Sequence, residues 1–182
     1  MARDTLSRSL HDVGLAAWFG GTLANAVALN PAAAQADTST ATGAVANVGW
    51  DRWTPVNAAA IGAHLVGSVG QVIGNKGRIA GQEGVASMAM TKTALTVAAL
   101  GVTAYSRALG KKVSEETRMP ARSGTEPEAG TPPAVAKAQK QLAGLQWAVP
   151  ALTGALVVVS SFAGEQQRAS EVRKGVRQRL VG

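Results

Sequence analysis

The chain has no cysteine, which excludes disulfides, thiolate metal sites and cysteine nucleophiles. Charge is scarce: 16% of the 182 residues are Asp, Glu, Lys or Arg, against roughly 25% in an ordinary globular chain. Aromatics make up 4% and are not interleaved with the basic runs, so the stacking surface of a nucleic-acid binder is missing and no nucleic-acid partner is expected. No acidic pair lies inside an apolar segment, which leaves a proton relay or ion-coupling site without its carboxylates. The glycine-rich "GSVGQVIGNKGR" lacks the Gly-Lys-Ser/Thr of a phosphate loop, and no serine sits in a nucleophile elbow. These absences predict no catalytic residues, no metal site and no cofactor.

What remains is small and apolar. Hydrophobic residues reach 46%, yet the mean hydropathy is only +0.08, because Ala and Gly supply much of the apolar content and a charged loop and tail dilute it. Four apolar segments stand out, at about residues 10–30, 55–75, 85–107 and 141–164. Each approaches the ~20 residues needed to cross a bilayer of ~30 Å. The fold expected is all-α, a four-helix transmembrane bundle over residues 1–164. It carries a charged, mobile loop at 108–135 between helices 3 and 4 and a basic C-terminal helical extension at 165–182.

The local signals refine each segment. Pro31 is expected to close the first, since a proline cannot continue a helix comfortably. Asp12, its only formal charge, suits a helix N-terminus. The second is expected to start at "WTP", with Thr54 as N-cap and Pro55 in the first helical position. Residues 31–53 then form a short extracytoplasmic loop, with Trp50 and Trp53 at the membrane interface. Lys92 interrupts the third segment and must snorkel, pair or lie at the interface, while Pro150 should bend the fourth. "MARDTLSRSL" followed by an apolar run and "AAAQA" imitates a secretory signal. Trp18, Asn25, Asn30 and the length of the run favour a retained first span.

Helical projection sorts the first two segments into faces. His11, Trp18, Thr22 and Asn25 share one face of the first, beside a small-residue ridge of Gly14, Ala17, Gly21, Ala24 and Ala28. In the second, Asn57, His64, Ser68, Gln71 and Asn75 form a polar stripe beside Ala63, Gly67, Gly70 and Gly74. Both contain His-x-Val-Gly-x-x-(Ala/Gly)-x-x-x-Gly, at His11 and at His64. Small ridges let helix backbones approach closely in lipid, and polar stripes there must face inward, because an unpaired polar group in hydrocarbon is costly. The two histidines are the candidates for haem or metal ligation. Placed near the start of one span and nine residues into the next, they are expected to differ in depth by about 10 Å, too far to share a metal. Each is therefore read as a structural, hydrogen-bonded group.

"HDVGLAAWFGGTLANAVALNP" resembles the first span of small four-span bacterial membrane proteins related to copper-resistance-D-like and similar families. There a histidine, a Trp with a Gly pair and a closing Pro recur. The resemblance implies a four-span membrane protein. The acidic, Met-rich or multiple-histidine features of copper handling are absent here, so copper is not carried over.

The formal charge of +7 gathers outside the apolar segments. Seven of the 18 Lys/Arg lie between Arg107 and Lys140. Five more, Arg168, Arg173, Lys174, Arg177 and Arg179, form a basic arm for lipid headgroups or an acidic partner. Arg3, Arg8, Lys76, Arg78 and the tail favour cytoplasmic termini in a multi-pass cell-membrane protein. That orientation puts the basic 107–140 loop outside, against the usual bias. The function expected is a non-catalytic accessory or scaffolding subunit of a larger membrane complex, with membrane lipids and protein subunits as partners. A small transporter, or a haem- or metal-binding membrane protein using His64 or His11, is the alternative. A soluble Ala-rich helical protein with a basic tail is the third.

Overall fold

The computed structural model describes residues 4–115 and 120–181. Helix α1 runs Thr5–Ala33 through a π-helical turn at Asn25–Leu29. It is followed by α2 (Ser39–Gly74), the short α3 (Lys76–Gly81), α4 (Val85–Ser114), α5 (Pro133–Glu165) and α6 (Ala169–Val181). Strands β1 (Ala121–Ser123) and β2 (Glu126–Pro127) pair antiparallel between α4 and α5. Four helices, α1, α2, α4 and α5, are long and apolar enough to cross a membrane.

Several boundaries differ from the sequence reading, each for a local reason. Pro31 does not close α1, which stays helical to Ala33. The π turn just before it shifts the hydrogen-bond pattern by one residue, which accommodates a ring without an N–H. Thr54 and Pro55 are not a helix start but lie inside α2, so residues 39–53 are helix rather than loop. The N-cap is Thr38, whose Oγ1 accepts from the Ala41 N–H at 3.1 Å. Packing against α1 outweighs the local signal at Pro55: Ala46 is buried, and Gly49 meets the Leu29 side chain. The stretch 108–135 holds the last turns of α4, the β1–β2 hairpin and the start of α5; residues 116–119 lie outside the described part.

The helices pack as two antiparallel pairs, α1 with α2 and α4 with α5, joined where α1 also lies on α5. Trp18 of α1, Ala99 of α4 and Val149 of α5 form the central core, with Ile61 of α2 and Leu100 against them. A smaller core of Val113, Val135 and Ala138 lies beneath the hairpin end. Helices α2 and α4 touch only sparsely. At the opposite end from the hairpin, Arg78 Nη2 and Gln82 Nε2 both donate to the Gln166 carbonyl at 3.0 Å. The Glu83 N–H donates to Gly175 O, so α3 and the basic α6 gather together.

In the most apolar windows of α2 and α4 only 17% of residues are buried. Val66 and Met90 face outward, and Val69, Ile73 and Val97 are exposed along the open cleft between α2 and α4, more apolar surface than a monomer in water carries without a partner or lipid against it.

The α1–α2 contact is a backbone contact. A Cβ on Gly14 would collide with Ala60 O and the His64 backbone, and one on Gly67 would collide with Ser7 O and the His11 backbone. Gly62, on the outward face of the same helix, has nothing within 4 Å. Gly14→Leu and Gly67→Leu should therefore each lower stability by at least the ~1–3 kcal/mol of an overpacked core, while Gly62→Leu leaves it unchanged. Thermal melting in mild detergent measures the three side by side.

Candidate functional site

The close approach of α1 and α2 brings the two histidines together. Their ring centroids lie 4.5 Å apart, tilted by 47°, with Trp18 6.1 Å from His64. The depth difference of about 10 Å drawn from the spacing alone is thus wrong. Helix α1 ends at Ala33 and α2 starts at Ser39, so in an antiparallel pair the two histidines are nearly equidistant from the connecting turn. The repeated His-x-Val-Gly pattern also acquires a geometric meaning. Each glycine lies against the backbone of the other motif's histidine, which makes the crossing approximately two-fold.

The imidazoles are held by neighbours. His11 Nδ1 donates to Asp12 Oδ1 at 2.7 Å. His64 Nδ1 faces the His11 carbonyl at 3.4 Å, and its Nε2 faces Thr96 Oγ1 at 3.4 Å. A carbonyl only accepts, so this pairing selects the Nδ1–H tautomer and leaves Nε2 to accept from Thr96. His64 thereby bridges α2 and α4 near the middle of their length, and the Arg107–Asp51 pair at 3.1 Å bridges the same two helices nearer the hairpin end.

On either side of that bridge the sparse α2–α4 contact opens into a cavity. The first, of about 350 Å³, lies toward the hairpin; Trp53, Asn57, Thr103 and Ser106 line it, with Ile61, Leu100 and Val149 as apolar wall. The second, of about 390 Å³, lies toward α3 and is lined by Ser68, Gln71, Asn75, Arg78, Lys92 and Thr96. Burial, and then the charge of Arg8, push the Arg78 guanidinium below its ordinary range. The polar stripe of α2 thus faces α4: Asn57 in the first cavity, His64 at the bridge, Ser68 and Gln71 in the second. Lys92 meets its second cavity there. Ser68 Oγ also donates to the His64 carbonyl at 2.7 Å.

A separate polar network closes the hairpin end. Asn30 Nδ2 donates to Gln146 Oε1 at 2.8 Å, Trp50 Nε1 donates to Asn30 Oδ1 at 3.0 Å, and Gln146 Nε2 reaches Thr125 Oγ1 at 3.4 Å. Trp50 completes this network, and Trp53 packs on Gly21.

The other residues singled out from the sequence distribute unevenly. His11 and Asn25 are buried. Gly14 and Gly67 make the backbone contact, Gly70 meets the Ser7 side chain, and a Cβ on Gly74 would stand 2.9 Å from Asp4 Oδ2. Ala17 and Ala63 are half-buried, whereas Ala24 and Ala28 are exposed; the ridge of α1 leaves α2 in its last turns. In the tail, Arg168 pairs with Glu165 at 2.8 Å, Lys174 with Glu171 at 2.9 Å and Arg179 with Glu83 at 3.9 Å. Arg173 donates to Ala169 O at 3.3 Å, and Arg177 is exposed. Thr96, Thr103 and Ser106 of α4 do not stand out in a reading centred on Lys92. Their seven- and three-residue spacing places them along one face, and that was the signal available.

Comparison with family models, with curated proteins and with solved structures returns no match.

If the bridge is structural, His64→Gln keeps an amide within reach of Thr96 and costs about 1 kcal/mol, while His64→Leu strands its partners and costs more, about 1–3 kcal/mol. Thermal melts of the two variants against the parent test this ordering.

Proposed function

We propose that this chain is a multi-pass cell-membrane protein with no catalysis of its own, acting as an accessory or scaffolding subunit of a larger membrane complex, with both termini cytoplasmic. The observation that carries the reading is a row of small residues left unpartnered on the outer face of α4. Ala94, Ala98, Gly101 and Ala108 are all exposed, and Gly101 has nothing within 4 Å. Within the chain, small rows of this kind at Gly14 and Gly67 join two helices. In lipid, where apolar area does not itself drive association, such rows are what lets a second helix approach. The basic residues of α6, with Lys76 and Arg78, gather at the end that bears both termini and supply a surface for anionic headgroups.

A second reading, a small transporter, is favoured by a different observation: two cavities lie on one cleft, separated by the His64–Thr96 bridge. A solute passing along the cleft would have to break that bridge.

Two measurements follow. The protein should resist extraction by high salt and alkaline carbonate and dissolve in mild detergent; release by salt alone removes the membrane reading. Ala98→Leu and Gly101→Leu should melt like the parent but lose partner subunits on copurification from native membranes. Partners retained in full by both variants would remove the scaffolding reading.

A further inference from the structure

The cavity toward α3 differs from its neighbour in charge. Arg78 and Lys92 both line it and no described Asp or Glu does, whereas in the first cavity Arg107 is paired with Asp51 at 3.1 Å. Three neutral acceptors fix the Arg78 guanidinium: Nε donates to Gln82 Oε1 at 3.0 Å, Nη1 to Asn75 Oδ1 at 3.1 Å and Nη2 to the Gln166 carbonyl at 3.0 Å. They hold the group in place without cancelling its charge, and leave it N–H groups to donate. Lys92 makes no hydrogen bond and no ion pair among the described residues, and its Nζ is not fully buried. Asp12 and Arg8 of α1 act on it with opposite sign, and Asp12 Oδ1 is taken by His11 Nδ1. A cation inside an apolar segment is costly unless an anion meets it.

The lining is also graded along the cleft. Arg78, Asn75 and Gln166 stand at the α3 end, and Lys92 lies about 10 Å in from the start of α4 at Val85. Between Lys92 and the His64–Thr96 bridge the wall is Leu65, Val69, Val97 and Leu100. The hydroxyls there are already engaged: Ser68 donates to His64 O, Thr93 to Ala89 O, and Thr96 meets His64 Nε2. We propose that this cavity binds one anionic glycerophospholipid from the leaflet at the α3 end, with its phosphate at Arg78 and Lys92 and an acyl chain along the apolar wall toward the bridge. The proposal deepens the membrane reading above and rests on it. Net negative charge is required because phosphatidylcholine brings an ammonium of its own, which the two cations repel, while basic pockets between spans take anionic headgroups. A chain is required because Val69, Ile73 and Val97 are exposed along the open side, where a soluble anion would leave them uncovered. At about 390 Å³ the cavity is of small-molecule size, roughly 300–1,000 Å³, so it takes the headgroup and the first part of a chain.

Because the chain has no cysteine, a single bimane reporter goes where it is wanted: at the cleft in Val69→Cys, or on the exposed face of α5 in Val158→Cys. Each full chain is reconstituted in phosphatidylcholine nanodiscs with a few mole percent of a lipid brominated on its acyl chains. In the cleft, brominated phosphatidylglycerol should quench at least twofold more than the same fraction of brominated phosphatidylcholine; on α5 the two should quench alike. The excess should vanish in Lys92→Gln and return in Lys92→Arg. It should vanish in Val72→Phe/Val97→Phe, which puts a ring on each wall of the cleft and leaves both cations in place. Arg173→Gln/Arg177→Gln, on the exposed tail, should keep it, and inorganic phosphate should lower it no more than chloride of equal ionic strength. An excess that survives Lys92→Gln or the two rings, that is lost with the tail charges, or that inorganic phosphate specifically displaces would overturn the assignment. A chain that enters the nanodiscs and is quenched equally by both lipids overturns this site alone; one that fails to enter them removes the membrane reading with it.

Discussion

Everything in this bundle hangs on the contact between the backbones of α1 and α2 at Gly14 and Gly67. The absence of a side chain at these two positions lets Ala60, His64, Ser7 and His11 approach as main chain against main chain. Packing of this kind, supplemented by interhelical hydrogen bonds, is what holds helices together where lipid removes the hydrophobic drive between them. Once the helices cross there, His11 and His64 have no choice but to meet, and Trp18 closes the space beside them.

The same contact determines what α2 offers to the rest of the molecule. With its glycine ridge committed to α1, the neighbouring polar stripe turns toward α4, and only His64 is long enough to reach across to Thr96. Ser68, Gln71 and Asn57 are shorter or differently placed, so the cleft stays open on both sides of the bridge. The cavities are therefore a consequence of a tight α1–α2 pair beside a tight α4–α5 pair, with no element between α2 and α4 to fill the difference. A few polar side chains, Asn57, Ser68 and Gln71 among them, stand in walls that are otherwise mostly apolar.

Much of this was legible in the residues. Four apolar helices, the inward histidines, the Gly14 and Gly67 ridges and the stripe from Asn57 to Gln71 all follow from a 3.6-residue period in runs with little charge. Boundaries were the weak point. Pro31 and Thr54–Pro55 carry strong local stop and start signals, yet a π turn absorbs the first, and burial of Ala46 together with the Trp50–Asn30 hydrogen bond to α1 carries the helix through the second. That error propagated: with α2 begun at residue 55 rather than Ser39, the histidines fell at different depths and their pairing was lost. The roles of Trp50, Trp53, Thr103 and Ser106 depend on which helices become neighbours. No periodicity within one helix contains that information.

Because the chain has only two histidines, the central contact can be measured without mutation. Protein labelled with ¹³C and ¹⁵N at histidine alone, reconstituted in lipid bilayers, contains two imidazole spin systems for magic-angle-spinning NMR. Rings with centroids 4.5 Å apart should give inter-residue ring-to-ring cross-peaks between His11 and His64 at long mixing times. Two isolated spin systems, with intraresidue correlations only in a folded sample, would contradict the α1–α2 crossing and the polar cleft built upon it.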